Sequence, residues 1–398
     1  MRVLYILHTN SLTDGSTKSF LALVDGMAAA GAGVEPYIVL PGDGALSSLL
    51  RSKGMRVFAL NYRFSIYPHL RRWQDWLLFL PRLAYWQWLE HRAVRHVTAI
   101  CRDNGVDLIH SNVSVVAIGM KVAHRLHLPC VYHLREYGGQ TWGMHYFPSH
   151  RSYLAAMQRA GAYTVCITRD VQRYYGLCDD GRSRVIYNGL FPAAYRPAPS
   201  STDGNYFLFA GRIEAAKGVQ MLLEAYRLYA ASCKDALPLW LAGREPDASA
   251  YVRSLHAYVE QHGLEGKVIF LGERTDIYIL MQQARAIVVA SPLEGFGRCT
   301  AEAMYNGCLV VGRDTCGTKE QMDNGVSLTG DEIALRFTTT QQLAAHLKEC
   351  ASAPRDAYDA MRQRAATTVR RLYSTEANVR GVHRLYCDIL STTKSNAR

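Results

Sequence analysis

Short runs of β-branched and aromatic residues recur along the chain, each followed by a polar or glycine-bearing turn and then by a longer amphipathic stretch. In the first half these runs are RVLYILH at the N-terminus, Val34–Leu40, Val57–Leu60, Val106–His110, the stretch from Cys130 to His133, AYTVC and the start of RVIYNGLF. In the second half they are Tyr206–Ala210, PLWLA, KVIFLG, Ala286–Ala290 and Cys308–Gly312. Such continuous apolar runs are too short for helices and suit strands of a parallel sheet covered on both faces. Helical periodicity is expected between them, over about 20–30, 114–126, 171–175, a segment opening at Lys217-Gly218, 249–261, 341–352, 355–372 and 375–390. Strands alternating with helices in this order define an α/β protein. Residues 192–204, PAAYRPAPSSTDG, read as a linker by composition. The expected division is therefore 1–191, a linker at 192–204, a second domain at 205–372, a terminal helix over 373–391 and a polar tail at 392–398, and 398 residues suffice for two cores.

Residues 286–312, AIVVASPLEGFGRCTAEAMYNGCLVVG, concentrate the chemistry. A buried strand is followed by the Gly295-Phe296-Gly297 turn, a helix from Arg298 to about Asn306-Gly307, and a further strand. A helix start presented this way is an anion site, because unpaired N–H groups and the helix dipole point the same way. Glu294 in the turn and Glu302 near the helix start flank it, which suits a ligand carrying both phosphate and hydroxyl groups. The simpler reading is a tight turn with two carboxylates at the positive end of a helix. A second stretch, YFLFAGRIEAAKGVQMLLEAYRLYA, carries Gly211, Arg212 and Lys217 just past a strand. Arginine forks onto two oxygens and lysine acts as a point charge, so the pair suits a diphosphate.

The pattern EGFGRCTAEAM, with glutamates eight positions apart, resembles the E-x7-E signature of retaining glycosyltransferases of family 4. The G-R-x-x-x-x-K-G stretch at 211–218 and the V-I-x-N-G step in RVIYNGLF agree with that family in the same order. The resemblance implies the GT-B fold, two doubly wound Rossmann-like domains facing a central cleft, with a terminal helix crossing back to the first domain. It further implies a sugar carried from a nucleotide-diphosphate sugar (UDP- or GDP-type) to a hydroxyl of a glycan or lipid-linked acceptor, in cell-surface polysaccharide biosynthesis. Arg212, Lys217 and the helix start before Glu302 would steady the departing diphosphate, Glu294 would orient the sugar, and Glu302 would accept from the ribose hydroxyls. Gly211, Gly295, Phe296 and Gly297 would line the sugar-nucleotide site, with Gly15 in the first turn and Arg274 near the base as further contacts. His133, at a strand end, would touch the sugar. Asn112, Arg135 and Glu136, also at strand tips of the first domain, are the candidate acceptor contacts. No D-x-D triplet occurs, so no metal and no other cofactor is expected.

Charge changes the picture in one respect. Residues 1–196 hold 22 Lys and Arg against 12 Asp and Glu, and residues 197–398 hold 23 against 22, so the basic surface belongs to the first half. Within residues 51–96, Arg51, Lys53, Arg56, Arg63, Arg71, Arg72, Arg82, Arg92 and Arg95 interleave with Trp73, Trp76, Phe79, Tyr85, Trp86 and Trp88. That composition suits either a membrane surface or a helix packing its aromatics into the core. No nucleic-acid-binding module is recognisable and no nucleic acid is expected as a partner. The GSTKS string lacks the spacing of a phosphate loop, which disfavours an NTPase. The N-terminus reads as a strand, no apolar run approaches a membrane span, and the ten cysteines form no C-x-x-C pair, so a cytoplasmic protein with reduced thiols is expected, possible contact with the inner membrane face included. Two rival functions stay open: a sugar-nucleotide epimerase on the same fold, and a non-catalytic basic protein binding membrane or polymer.

Overall fold

The computed structural model describes residues 1–68, 73–192, 194–197, 204–247 and 249–396. Arg71 and Arg72 of the basic segment, the greater part of the expected linker and the last two residues of the expected tail lie outside the described residues. The chain divides into two compact units, Met1–Gly189 with Thr375–Arg398, and Leu190–Ser374.

The first unit is built on strands β1 (Arg2–Ile6), β2 (Glu35–Leu40), β3 (Arg56–Ala59), β4 (Ile66–Pro68), β5 (Leu108–Ser111), β6 (Cys130–Leu134), β7 (Met144–Tyr146), β8 (Tyr163–Cys166) and β9 (Ser183–Val185). Seven of them form one sheet in the order β3-β2-β1-β5-β6-β8-β9, every neighbouring pair parallel, while β4 and β7 make a small antiparallel pair. Its helices are α1 (Gly15–Ala29), α2 (Ala45–Ser52), α3 (Trp73–Leu77), α4 (Phe79–Asn104), α5 (Ile118–Leu126), α6 (Gly139–Trp142), α7 (His150–Arg159) and α8 (Arg169–Tyr174). The second unit has a six-stranded parallel sheet, β10 (Phe207–Ala210), β11 (Leu239–Ala242), β12 (Val268–Gly272), β13 (Ala286–Val289), β14 (Val310–Arg313) and β15 (Leu335–Phe337), in the order β12-β11-β10-β13-β14-β15. It carries α9 (Val219–Ala231), α10 (Ala250–Gln261), α11 (Ile277–Gln283), α12 (Arg298–Tyr305), α13 (Cys316–Thr329), α14 (Thr340–Ser352) and α15 (Asp359–Leu372). Each unit is thus a doubly wound α/β sheet whose order reverses beside its first strand, between β1 and β5 and between β10 and β13. Ligands of such sheets bind outside the strand ends at that reversal.

The terminal helix α16 (Thr375–Asn396) belongs to the first unit. Val382, Leu385, Tyr386 and Ile389 are buried in the same core as Tyr5, Phe20 and Met27, and Gly26 of α1 lets Thr375 and Val379 approach. Burying three aliphatic side chains of this size stabilises by roughly 5–9 kcal/mol as an upper bound, comparable with the net stability of a whole domain. The first unit therefore depends on residues from the far end of the chain.

Four helix boundaries differ from expectation, one of them at the far end, where α16 continues to Asn396 through most of the expected polar tail. α1 begins at Gly15 rather than near Phe20, because Thr17 and Ser19 are buried and the stretch that reads as a polar loop is its first turn. α5 begins only at Ile118, the apolar residues Val115–Ala117 being buried in a turn. Lys217 closes a short 3-10 turn, and the α-helix starts after Gly218, whose φ is +70°. All ten cysteines are free thiols, with Cys130, Cys166 and Cys308 buried as expected.

Candidate functional site

In the second unit the turn after β10 and the turn after β13 meet at the sheet reversal. A side chain at Gly218 would land on the carbonyl oxygen of Ala290, so only glycine lets the start of α9 lie against the end of β13. This contact carries Lys217 to Glu294, whose carboxylate oxygen is 2.6 Å from the ammonium nitrogen although the residues are 77 apart in sequence. Both side chains are partly shielded, with 28% and 17% exposed, a setting in which a charge pair is screened less than at the surface. Arg212 sits on the same turn, is largely exposed and pairs with Glu214 at 3.3 Å.

The Gly295–Gly297 turn is held from behind by α13. Gly317 donates its amide to the Glu294 carbonyl at 2.9 Å, and the Gln321 amide donates to the carbonyls of Phe296 and, at 3.0 Å, of Gly297. Gly297 precedes α12 at φ +81°, and Phe296 is buried edge-on against Tyr373. Phe296 is thus an anchor for the turn, and the turn's backbone is what it offers to a ligand. Glu302 lies one turn into α12, where Arg298 donates to it at 3.0 Å. Arg274 stands apart: it follows β12 at the sheet edge, two strands from β10, and its guanidinium is folded back onto Asp276 at 2.9 and 2.6 Å.

In the first unit the strand tips carry a buried polar network. Arg135 donates to the Asn112 carbonyl at 3.1 Å, to the Asn112 side chain at 3.2 and 3.1 Å, and to the Asn188 side chain. It also lies 3.1 Å from His133 Nδ1, to which His110 Nε2 approaches at 3.3 Å. Burial first, then the Arg135 charge, holds His133 well below the ordinary histidine range and brings His110 down to about 3. His8, just past β1, is lowered to about 4 by burial. Glu136 turns inward, accepting from the Ser114 amide at 2.9 Å and its hydroxyl at 2.6 Å, and burial raises its pKa. Gly15, the first residue of α1, is exposed beside this network's edge, where Asn112 donates to the Ser16 carbonyl at 3.4 Å.

Lys217, Glu294, Gly295, Phe296 and Gly297 are therefore brought together in one place, with Arg212 on the same turn as Lys217. His133, Asn112 and Arg135 are brought together in another. Gln321 and Gly317, which hold the turn, are not among the expected site residues; Asn188 lies inside RVIYNGLF, and Tyr386 carries no sequence signal. Among the described residues no group of three or more His, Cys, Asp or Glu could hold a metal ion.

Of the aromatic residues in the basic segment, Trp73 and Trp76 are 72% and 66% exposed, and Leu77, Leu80, Tyr85 and Trp88 are exposed with them. Trp86 instead stacks on Tyr67 at 4.5 Å, and Phe79 packs edge-on against Tyr67 and Phe147. One part of the segment packs and another faces solvent. No described helix is long and apolar enough to cross a membrane.

Two doubly wound sheets with polar groups at their reversal points define a GT-B-type α/β protein, and comparison with known proteins agrees. Residues 193–368, which lie within the second unit, match the family described as Glycosyl transferases group 1. The chain is 32% identical over 173 residues to a GDP-mannose:cellobiosyl-diphosphopolyprenol alpha-mannosyltransferase of Xanthomonas oryzae pv. oryzae (strain PXO99A), covering 42% of this chain and 44% of that protein. The match thus spans less than half the length of that relative. It is 26% identical over 265 residues to the lipopolysaccharide core biosynthesis mannosyltransferase LpcC of Rhizobium leguminosarum bv. viciae, covering 61% of this chain and 71% of that one. The crystal structure of Anabaena Alr3699/HepE in complex with UDP has the same fold, with a TM-score of 0.76 over 98% of this chain and 100% of that chain at 20% identity.

Proposed function

We propose that this chain is a retaining glycosyltransferase of family 4, moving a sugar from a nucleoside-diphosphate sugar to a hydroxyl of a glycan or lipid-linked acceptor in cell-surface polysaccharide assembly. The observation that carries this reading is the meeting of Lys217 and Glu294 beside the Gly295–Gly297 turn, at the sheet reversal of the unit that matches the group 1 glycosyl transferases. When the anomeric C–O bond breaks, its electron pair passes to the diphosphate; Lys217, Arg212 and the turn's amides stabilise that charge without a metal ion. The acceptor oxygen attacks the anomeric carbon on the face the diphosphate leaves, and its proton passes to the departing phosphate oxygen. Glu294 orients the sugar ring, and Glu302, paired with Arg298, accepts from the ribose hydroxyls. His133, Asn112 and Arg135 serve the sugar and acceptor, while Glu136 shapes the loop that follows β6.

The lipid-linked class of acceptor is supported by the name of the Xanthomonas relative, an enzyme acting on a diphosphopolyprenol, and by the exposed Trp73, Trp76, Leu77 and Trp88 beside Arg82 and Arg92. Tryptophan rings settle among lipid headgroups while arginines meet anionic lipid, so this face rests on the inner surface of a membrane. The test is a melting-temperature screen with GDP-mannose, UDP-glucose and other sugar nucleotides, followed by transfer assays with and without extracted membrane lipids. A sugar nucleotide that raises the melting temperature and labels a lipid-linked product supports the reading. Conversion of the sugar nucleotide without any acceptor would make the protein an epimerase, and absence of both stabilisation and product would make it a non-catalytic protein.

A further inference from the structure

The network around His133 continues into the terminal helix, and its proton positions follow one from another. A guanidinium has only N–H groups to offer. Arg135 lies 3.1 Å from His133 Nδ1, so that nitrogen presents its lone pair, and the ring proton of the neutral imidazole is on Nε2. His110 Nε2 approaches the same lone pair at 3.3 Å and must bring a proton to it, which leaves His110 Nδ1 bare. The Tyr386 hydroxyl, 2.5 Å from His110 Nδ1, is then the donor to it, its one proton turned to that nitrogen rather than to the more distant Tyr5 hydroxyl at 3.3 Å. Tyr5, His110, His133 and Tyr386 are all buried. The sequence of bonds ends at His133 Nε2, a buried N–H with no hydrogen-bond partner among the described residues. Native proteins seldom leave such a group unpaired.

We infer that Tyr386 and His110 are positioning residues that fix His133 as an Nε2–H donor aimed at an oxygen of the bound sugar nucleotide. The identity of that oxygen rests on the glycosyl-transfer reading; the tautomer does not. Which ring nitrogen of a histidine carries the proton is set by the bond its other nitrogen makes. Here that bond is made by Arg135 and His110 together, and Tyr386 keeps His110 from turning its proton the other way. The burial that keeps both imidazoles neutral leaves the tautomer, rather than the charge, as what the network controls. The terminal helix thereby contributes to the site as well as to the core.

Long-range proton–nitrogen spectra of the whole chain with labelled histidine, assigned through His110→Gln and His133→Gln, read the tautomers in the ligand-free state. Both rings are expected to carry their proton on Nε2 near neutral pH, and the His133 Nε2 signal should move on saturation with GDP-mannose or UDP-glucose, whichever binds. Tyr386→Phe should mix the tautomers of His110 and lower kcat about three- to tenfold, the effect of one hydrogen bond, with KM for the sugar nucleotide changed by no more than about twofold. His110→Gln, whose carboxamide can donate toward His133 and accept from Tyr386, should recover most of what His110→Leu loses, which a mere packing role would not produce. A proton on His133 Nδ1, or a Tyr386→Phe protein with unchanged ring signals and unchanged kcat, overturns the inference. So does a His133 Nε2 signal that stays put when a sugar nucleotide is shown to bind. If neither sugar nucleotide binds, the transferase reading fails and the inferred ligand role fails with it, while the tautomer is decided separately in the ligand-free protein.

Discussion

Replacing Lys217 by alanine removes a positive charge from the point where the two second-unit turns meet, without touching the backbone that brings them together. A diphosphate oxygen about 4 Å from the ammonium would gain roughly 4 kcal/mol at an effective dielectric near 20. Glu294, 2.6 Å away, already takes part of that charge, so the ligand exchanges one partner for another. Halving the gain leaves about 2 kcal/mol, or roughly thirtyfold in rate, and a lost oxyanion contact in a shielded site can cost about a hundred- to a thousandfold. Lys217→Ala should therefore lower kcat/KM for the sugar nucleotide by between about thirtyfold and a thousandfold. Because charge on the diphosphate grows as the anomeric bond breaks, part of the loss must appear in kcat. Initial rates of transfer at varied sugar-nucleotide concentration, with melting temperatures to show that the fold persists, supply the measurement. A folded Lys217→Ala protein with kcat/KM within about threefold of the parent would refute the leaving-group role.

Glu294→Gln keeps the shape but releases Lys217, so kcat should fall by more than about tenfold while KM for the sugar nucleotide holds or drops, as steady-state rates will show. Trp73→Ser combined with Trp76→Ser should weaken sedimentation with anionic vesicles at least about fivefold, and binding by the parent should weaken as salt rises; equal binding by both proteins would remove the membrane reading. His8 and His110 have folded pKa values near 4 and 3, below their unfolded values. Their contribution to stability is complete above about pH 6.5 and is lost as pH falls toward those folded values, because the denatured chain takes up protons that the native one refuses. From pH 7.5 to 5.5, above the ordinary carboxylate range, the two groups should cost about 3 kcal/mol of unfolding free energy, measurable by denaturant titration; a flat profile across that window would show that they are not buried as neutral rings.

The sheets were legible because their strands are covered on both faces, which leaves continuous apolar runs such as VLYI, AIVV and FLFA. The start of α1 was not, since its buried face begins with Thr17 and Ser19, small polar residues that carry no apolar signal. The candidate residues of the second unit were legible from local glycine and charge patterns. Their partners were not: Glu214, Arg298 and Asp276 lie two or four positions from Arg212, Glu302 and Arg274, and the sequence alone does not say whether a side chain turns to its neighbour or to a ligand. Tyr386 was hidden for a different reason. It sits in the apolar stripe of a long helix, where a tyrosine reads as core, and only the packing of α16 on β1 and β5 shows that its hydroxyl meets His110.

The two units also differ in how they prepare for a ligand. At the reversal of the second sheet Lys217 and Glu294 hold each other, as do Arg298 and Glu302, so a diphosphate that takes Lys217 displaces a carboxylate from it. Such exchange gains less affinity than an empty cationic site would, but it keeps half-shielded charges from destabilising the ligand-free fold. At the first unit's strand tips the arrangement is the reverse. Arg135 is bonded by Asn112, Asn188 and His133, and the group the network offers to a ligand is the neutral N–H of His133. A neutral donor in a fixed direction tells one hydroxyl from another better than a charge does, since charge attracts from every angle. On that ground, choice of sugar should respond to changes around His133, and grip on the diphosphate to changes around Lys217.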